Sequence, residues 1–246
     1  MTIDDDDQLE RLRAAGLVVR AALDAMEAAC EPGITTAELD AIGRAVGDAA
    51  GARSAPQLAY DFPGWSCISV NHEAVHGIPG LRVVEAGDLV KIDVTAELDG
   101  YMADACITVA VPPVSDRMRL LHDTAQRALD LAIAQVVHDA PINEIGRAIE
   151  TEVRDRGLRV MRELGGHGIG RVLHEAPRVE SWYDPRDSTR MHDGMVFTIE
   201  PIISESSERT VTEPDGWTLV THDGSWAAQF EHTLVVNGDE PIVLTA

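Results

Sequence analysis

The chain has 246 residues, 45% of them hydrophobic and 25% charged, and its 42 acidic against 20 basic side chains give a formal net charge of -22. Such a surface repels phosphate backbones and anionic headgroups, which excludes nucleic-acid binding and docking on acidic membranes as main roles. No apolar run approaches the roughly 18–20 residues needed to span a bilayer. The opening MTIDDDDQLERLR has no apolar core of the secretory-signal kind. The three cysteines, Cys30, Cys67 and Cys106, are odd in number and widely spaced, without a Cys-x-x-Cys pair. They suit neither a disulfide framework nor a structural zinc module. The expected compartment is the reducing cytoplasm.

Asp4 to Asp7 precede a run of helical periodicity (Leu9, Leu12, Leu17, Val18, Leu23, Met26) that Pro32-Gly33 stops. Thr35 or Thr36, followed by Glu38, predicts the cap of a second helix through about Gly51. From about Trp65 the pattern is that of strands: SCISV, DLVKIDVTAEL and YMADACITVAV, with Asp99-Gly100 marking a tight hairpin between the last two. Pro112-Pro113 closes this region. Ser115 then caps a long amphipathic helix expected through about His138, and another follows from about Ile142 to Arg156, opened by Pro141. MVFTIEPIIS, WTLVTHD, AAQFEHTLVVN and PIVLTA read as strands. Helices, strands, helices and strands in that order, without a Pro/Ser/Gly-rich linker, predict one α+β domain over 1–246, two halves packed around one sheet.

Several strands carry carboxylates where apolar residues are expected. Asp93 is flanked by Val90, Ile92 and Val94, and Asp104 lies in the strand beyond the hairpin turn. A carboxylate in an apolar strand is costly unless paired, hydrogen-bonded or metal-bound, and two side by side repel without a cation. Glu200 ends the apolar run MVFTI, and Glu231 sits inside AAQFEHTLVV. His167 lies among Gly165, Gly166, Gly168 and Gly170, whose small size lets backbone approach a site closely; His174 follows. Each of these alone also fits a bland reading, such as a solvated strand face or an incidental histidine in a Gly-rich loop. Together, four carboxylates and an imidazole suit divalent Mn, Fe, Co or Zn and neutralise two such ions.

The motifs HGIPG with His76, KIDV with Asp93, Asp104 eleven positions on, GHGIG with His167, LHEAP with His174, FTIEP with Glu200 and QFEHT with Glu231 resemble, in order and approximate spacing, those of the methionine aminopeptidases. The likeness spans nearly the whole chain and is to the short bacterial type I form. It implies a pita-bread fold, with pseudo-two-fold halves and a curved antiparallel sheet flanked by helices. It also implies two divalent metal ions held by Asp93, Asp104, His167, Glu200 and Glu231. Catalytic roles fall by the same resemblance to Glu200 as proton shuttle, His174 at the developing oxyanion and His76 at the scissile nitrogen. A methionine pocket is implied at Tyr60, Phe62, Cys67 and Trp217. The implied substrates are N-terminal Met peptides and nascent proteins with a small second residue. The implied enzyme is a monomer making at most transient ribosome contact. Two departures touch the pocket: Gln57 or a neighbour stands where many bacterial relatives have a cysteine, and Leu173 where an aromatic is common. The competing readings are a proline-directed aminopeptidase of the same fold and a non-catalytic binding module; the presence of all five implied ligands weighs against the second.

Overall fold

The computed structural model describes residues 1–246. Helix α1 (Asp6–Ala29) is capped by Asp5, whose carboxylate accepts from the Gln8 N–H. Helix α2 (Thr36–Ala50) opens with the predicted capping box between Thr35 and Glu38 and ends on Gly51 in the left-handed region. A two-residue strand β1 (Arg53–Ser54) and a short helix α3 (Ala55–Tyr60) follow; both are too short to show a periodicity. Strands β2 (Cys67–Val70) and β3 (Glu73–Val75) lead into the long hairpin of β4 (Leu89–Leu98) and β5 (Tyr101–Ala110). Its turn is the expected Asp99-Gly100, both at positive φ (51° and 83°), the requirement of a type I′ loop.

Helix α4 (Asp116–Ile133) starts at the expected Ser115 cap but stops short of His138. Beyond it the N–H groups of Gln135 and Val136 bond to the carbonyls three residues back, at Ala132 and Ile133. The backbone has thus tightened out of α geometry ahead of the positive-φ Asp139 and Pro141. Helix α5 (Asn143–Asp155) follows. The rest of the chain is strands: β6 (Arg159–Val160), β7 (Gly165–Gly168), β8 (Glu175–Glu180), β9 (Val196–Ile199), β10 (Ile202–Ser204), β11 (Thr210–Thr212), β12 (Leu219–Thr221), β13 (Ala227–Gln229), β14 (Glu231–Val235) and β15 (Ile242–Val243).

A nine-stranded sheet runs β1-β4-β5-β14-β9-β7-β8, with β2 paired to β4 and β15 to β14. Its pairs are antiparallel. Each half brings a helix pair and its own core. α1 and α2 bury Val19, Leu23, Met26 and Leu39 with Ile68, Val90 and Ile92. α4 and α5 bury Leu121, Leu129, Ile145 and Ile149 with Phe197, Ile199 and Leu234. The α+β class and the two halves around one sheet are as the sequence predicts, and the plan is the pita-bread one that the resemblance implies.

Two predicted strands are each broken in two. MVFTIEPIIS supplies β9 to the main sheet and β10 to a three-stranded sheet, β13-β10-β6; AAQFEHTLVVN supplies β13 to the small sheet and β14 to the main one. The ladder pairs Ile199 with His232 on one side of the break and Ile202 with Gln229 on the other. Pro201, without an N–H, cannot continue a ladder across the gap. Both strands therefore bend together at Glu200-Pro201 and Phe230. Lys91, the only lysine in the chain, is buried in β4; its Nζ donates to the carbonyls of Asn71 and Ala227 and ties the main sheet to this corner. Burial pushes its pKa down to about 7, against the raising influence of Glu73.

Candidate metal centre and substrate pocket

Strand register lines up the acidic residues. Asp93 pairs with Cys106 across β4–β5, and Cys106 with Glu231 across β5–β14. Directly paired residues share a face, so Asp93, Cys106 and Glu231 form one row, and Asp104, two residues before Cys106, joins it on the same side. Glu200 enters from the corner after β9 and His167 from β7. The glycines around His167 have a steric reason: a Cβ on Gly166 would stand 2.2 Å from the Thr198 carbonyl oxygen. Only a bare backbone lets β7 come this close to β9.

Asp104, Glu200 and Glu231 are buried, at 5%, 9% and 2% exposure, and Asp93 is partly so. Ligand atoms of Asp104, His167 and Glu231 lie within 4.8 Å of one another. His167 Nε2 is 3.9 Å from Asp104 Oδ2 and 3.7 Å from Glu200 Oε1. The His167 Nδ1 faces the Gly168 carbonyl at 3.1 Å. A carbonyl only accepts, so Nδ1 carries the proton and Nε2 offers a lone pair to the cluster. Burial, with help from His174, pushes the ring's pKa down to about 3, so it is neutral, as a ligand must be.

The carboxyls show the strain of crowding. Burial raises Asp93 to about 6, although hydrogen bonds with Asp104 and Gln229 oppose the rise. Asp104 is pushed well up by burial and then by Asp93 and Glu200. Glu200 is raised by burial and Asp93, and Glu231 by burial and then Asp104, Glu200 and Asp93. Asp104 Oδ1 and Glu231 Oε1 are buried without any hydrogen-bond partner. Orphaned acceptors in a buried acidic cluster are what a cation would satisfy. The donor set of four carboxylates and one imidazole fits divalent ions.

Above this floor is a cavity of about 280 Å³. All eleven residues singled out in the sequence line it: the five donors, His76, His174, Tyr60, Phe62, Cys67 and Trp217; Pro56, Thr95 and Leu173 complete the wall. Phe62 and Trp217 meet edge to face with centroids 5.2 Å apart, and Phe62 and Cys67 are buried. His76 has φ 58°, a left-handed conformation rare outside glycine, at the end of β3. The His174 and His167 rings stand 4.1 Å apart.

Known proteins match this chain along its whole length. The model of metallopeptidase family M24 matches residues 10–238. The chain belongs to metallopeptidase family M24. It is 44% identical over 247 residues to methionine aminopeptidase 2 of Bacillus subtilis, covering 100% of this chain and 99% of that one. The crystal structure of a methionine aminopeptidase from Rickettsia prowazekii superposes with a TM-score of 0.95 at 34% identity, covering 100% of both chains. One from Thermotoga maritima also gives 0.95, at 32% identity, covering 100% of this chain and 99% of that one.

In this metallopeptidase a ring of polar residues behind the acidic cluster escapes the sequence reading. Gln229 Nε2 lies 3.4 Å from both Glu200 Oε2 and Glu231 Oε2, while its backbone N–H and carbonyl are clamped by the Thr108 hydroxyl. Thr198 accepts from the His167 N–H and donates to Glu200 Oε1 at 3.4 Å. Thr233 bridges the backbone N–H and carbonyl of Asp104. A usable signal existed: Thr95, Thr198, Gln229 and Thr233 each stand two positions from Asp93, Glu200 or Glu231, the strand repeat that returns a side chain to the same face. The pocket makes its own prediction. Trp217→Ala should raise KM for Met-Ala-Ser by about tenfold with a much smaller change in kcat, because an apolar wall binds substrate and transition state alike. Steady-state kinetics check it; an equal fall in kcat would remove Trp217 from a purely binding role.

Proposed function

We propose that this metallopeptidase removes the N-terminal methionine from peptides and nascent proteins with a small second residue, by metal-assisted hydrolysis of the first peptide bond. The observation that carries this reading is one cavity with two chemically distinct ends: an acidic floor with orphaned oxygens, and an apolar recess of Phe62, Cys67, Leu173 and Trp217. Such a recess suits a flexible thioether.

Asp93, Asp104, His167, Glu200 and Glu231 would hold two divalent cations of the cobalt, manganese, iron or zinc kind, whose charge the four carboxylates would balance. When bound, these ions polarise the substrate carbonyl and lower the pKa of the attacking water. Glu200 accepts the proton of that water and passes it toward the departing amine. His174 donates a hydrogen bond to the carbonyl oxygen as it gains negative charge. His76, turned by its left-handed backbone, contacts the nitrogen of the scissile amide. Phe62, Cys67 and Trp217 orient the methionine side chain, with Tyr60 at the mouth. The whole chain works as one catalytic domain and as a monomer in the cytoplasm. Its contact with the ribosome is transient, since a net charge of -22 opposes approach to RNA. No helix is long and apolar enough to cross a membrane.

The test is release of methionine from Met-Ala-Ser by metal-loaded enzyme, with Ala-Pro-Ser alongside. Methionine release with the proline peptide untouched is expected. Cleavage of the proline peptide instead would assign a prolyl peptidase, and inertness toward both with metal bound would leave a binding module.

A further inference from the structure

The resemblance implies Tyr60 as part of the pocket wall, yet its place differs from that of its neighbours there. It ends helix α3 and is 47% exposed. The next residue, Asp61, turns the chain through the left-handed region at φ 56°, with its N–H bonded back to the Gln57 carbonyl. This turn separates the two rings: Phe62 goes into the recess against Trp217, and Tyr60 stays at the mouth over His174. There the Tyr60 hydroxyl is 2.7 Å from His174 Nδ1, and the two rings are tilted with centroids 5.5 Å apart. No other hydrogen bond holds the His174 side chain, which rises from a segment outside any helix or strand. The contrast is with His167, whose Nδ1 is fixed by a backbone carbonyl.

We infer that Tyr60 is a positioning residue for His174: its hydroxyl donates to Nδ1 and keeps the proton of the neutral imidazole on Nε2, the ring nitrogen left free for substrate. The direction of this bond follows from the two groups. A phenol with a pKa near 10 is a better donor than a neutral imidazole N–H, and an imidazole nitrogen is a better acceptor than a phenol oxygen. The consequence is specific. A neutral histidine can donate to a developing oxyanion through Nε2 only when Nδ1 is bare, and a bare Nδ1 needs a donor to hold it. The inference rests on the reading of His174 as the oxyanion donor. It assigns to Tyr60 a part in kcat that a pocket wall would not have.

The experiment compares zinc-loaded wild type, Tyr60→Phe, His174→Ala and the double variant. Histidine 15N spectra should show His174 as a single neutral form protonated on Nε2 in the wild type and as a mixture of both neutral forms in Tyr60→Phe. For Met-Ala-Ser, Tyr60→Phe should lower kcat by about tenfold, the worth of one hydrogen bond, and leave KM within about twofold. It should have no further effect in the His174→Ala background. The half-exposed ring is kept in Tyr60→Phe, and the same spectra report that the fold is intact. An unchanged His174 spectrum with unchanged kcat overturns the inference, as does a rise in KM alone that adds to the His174→Ala effect. If His174→Ala itself turns over like wild type, the oxyanion reading fails, whatever the Tyr60 spectra show.

Discussion

Asp104→Asn, which keeps the shape of the side chain and removes its charge, is expected to lower kcat/KM for Met-Ala-Ser by about a thousandfold or more, roughly 4 kcal/mol of transition-state stabilisation. Glu231→Gln should do the same. The ground for so large an effect is the position of these groups. Both are buried, each leaves an oxygen without a partner, and together with His167 they place ligand atoms within 4.8 Å of one another. An amide in either place puts a neutral oxygen or an N–H where a dication requires negative charge. Chelated wild-type enzyme should be equally silent and recover on adding cobalt or manganese, whereas the variants should recover little at the same metal concentration. Near-wild-type turnover of Asp104→Asn, or wild-type activity that survives complete chelation, would contradict the proposed centre.

The second large effect is on stability. Asp93, Asp104, Glu200 and Glu231 all have raised pKa values in the folded, metal-free chain, Asp93 at about 6. For an acid raised in this way the native state binds more protons than the unfolded chain between the two pKa values. Its contribution is therefore fully present below about 4, the unfolded value, and is lost as pH rises through the folded value. The metal-free enzyme should lose thermal stability from about pH 4 through pH 6 and beyond. Metal binding needs ionised carboxylates, so it releases protons and its stabilising effect grows in the same direction. At a hundred times its dissociation constant one ion adds about 2.7 kcal/mol, or roughly 5–10 °C for a chain of this size. Melting curves from pH 5 to pH 8 with chelator and with metal check both slopes. The acidic surface also repels itself as pH rises, so the decisive comparison is metal-free Glu231→Gln, which should melt above metal-free wild type at pH 8. Equal melting of the two would show that the cluster is not strained.

The parts of this site legible in the sequence are those in which one residue breaks a local rule. Asp93 among Val90, Ile92 and Val94 announces a buried charge, and Asp99-Gly100 fixes the turn that brings Asp104 alongside it. The capping box at Thr35 and Glu38 and the cap at Ser115 are local too, and helix starts at those points are as expected. The remainder depends on partners far along the chain. Nothing near Tyr60 shows that its hydroxyl meets a histidine 114 positions away. The end of α4 at Ile133 is decided by the bend into α5, although Val136 stays buried and sustains an apolar pattern past the helix. The split of MVFTIEPIIS was half visible: Pro201 marks a break, but only the pairing of β10 with β13 shows that the strand leaves one sheet for another. Gln229 carries only its two-residue spacing from Glu231 as a signal, because an amide in a strand breaks no rule by itself; its role shows once the two glutamates beside it are seen in space.

That shared bend alters what losing metal means for the molecule. Glu200 and Glu231 stand on a crease where a two-stranded ribbon passes from the nine-stranded sheet to a three-stranded one, and no ladder bond of Pro201 crosses it. A divalent ion held by both carboxylates would tie the two sides of the crease together. Beyond the crease the ribbon is held by Lys91, by the Thr108 clamp on Gln229 and by burial of Ile203 and Ala228 against α4 and α5. On the proposed assignment the residues that perform the chemistry, Glu200 and Glu231, are also the ones that stand at the seam between the two sheets.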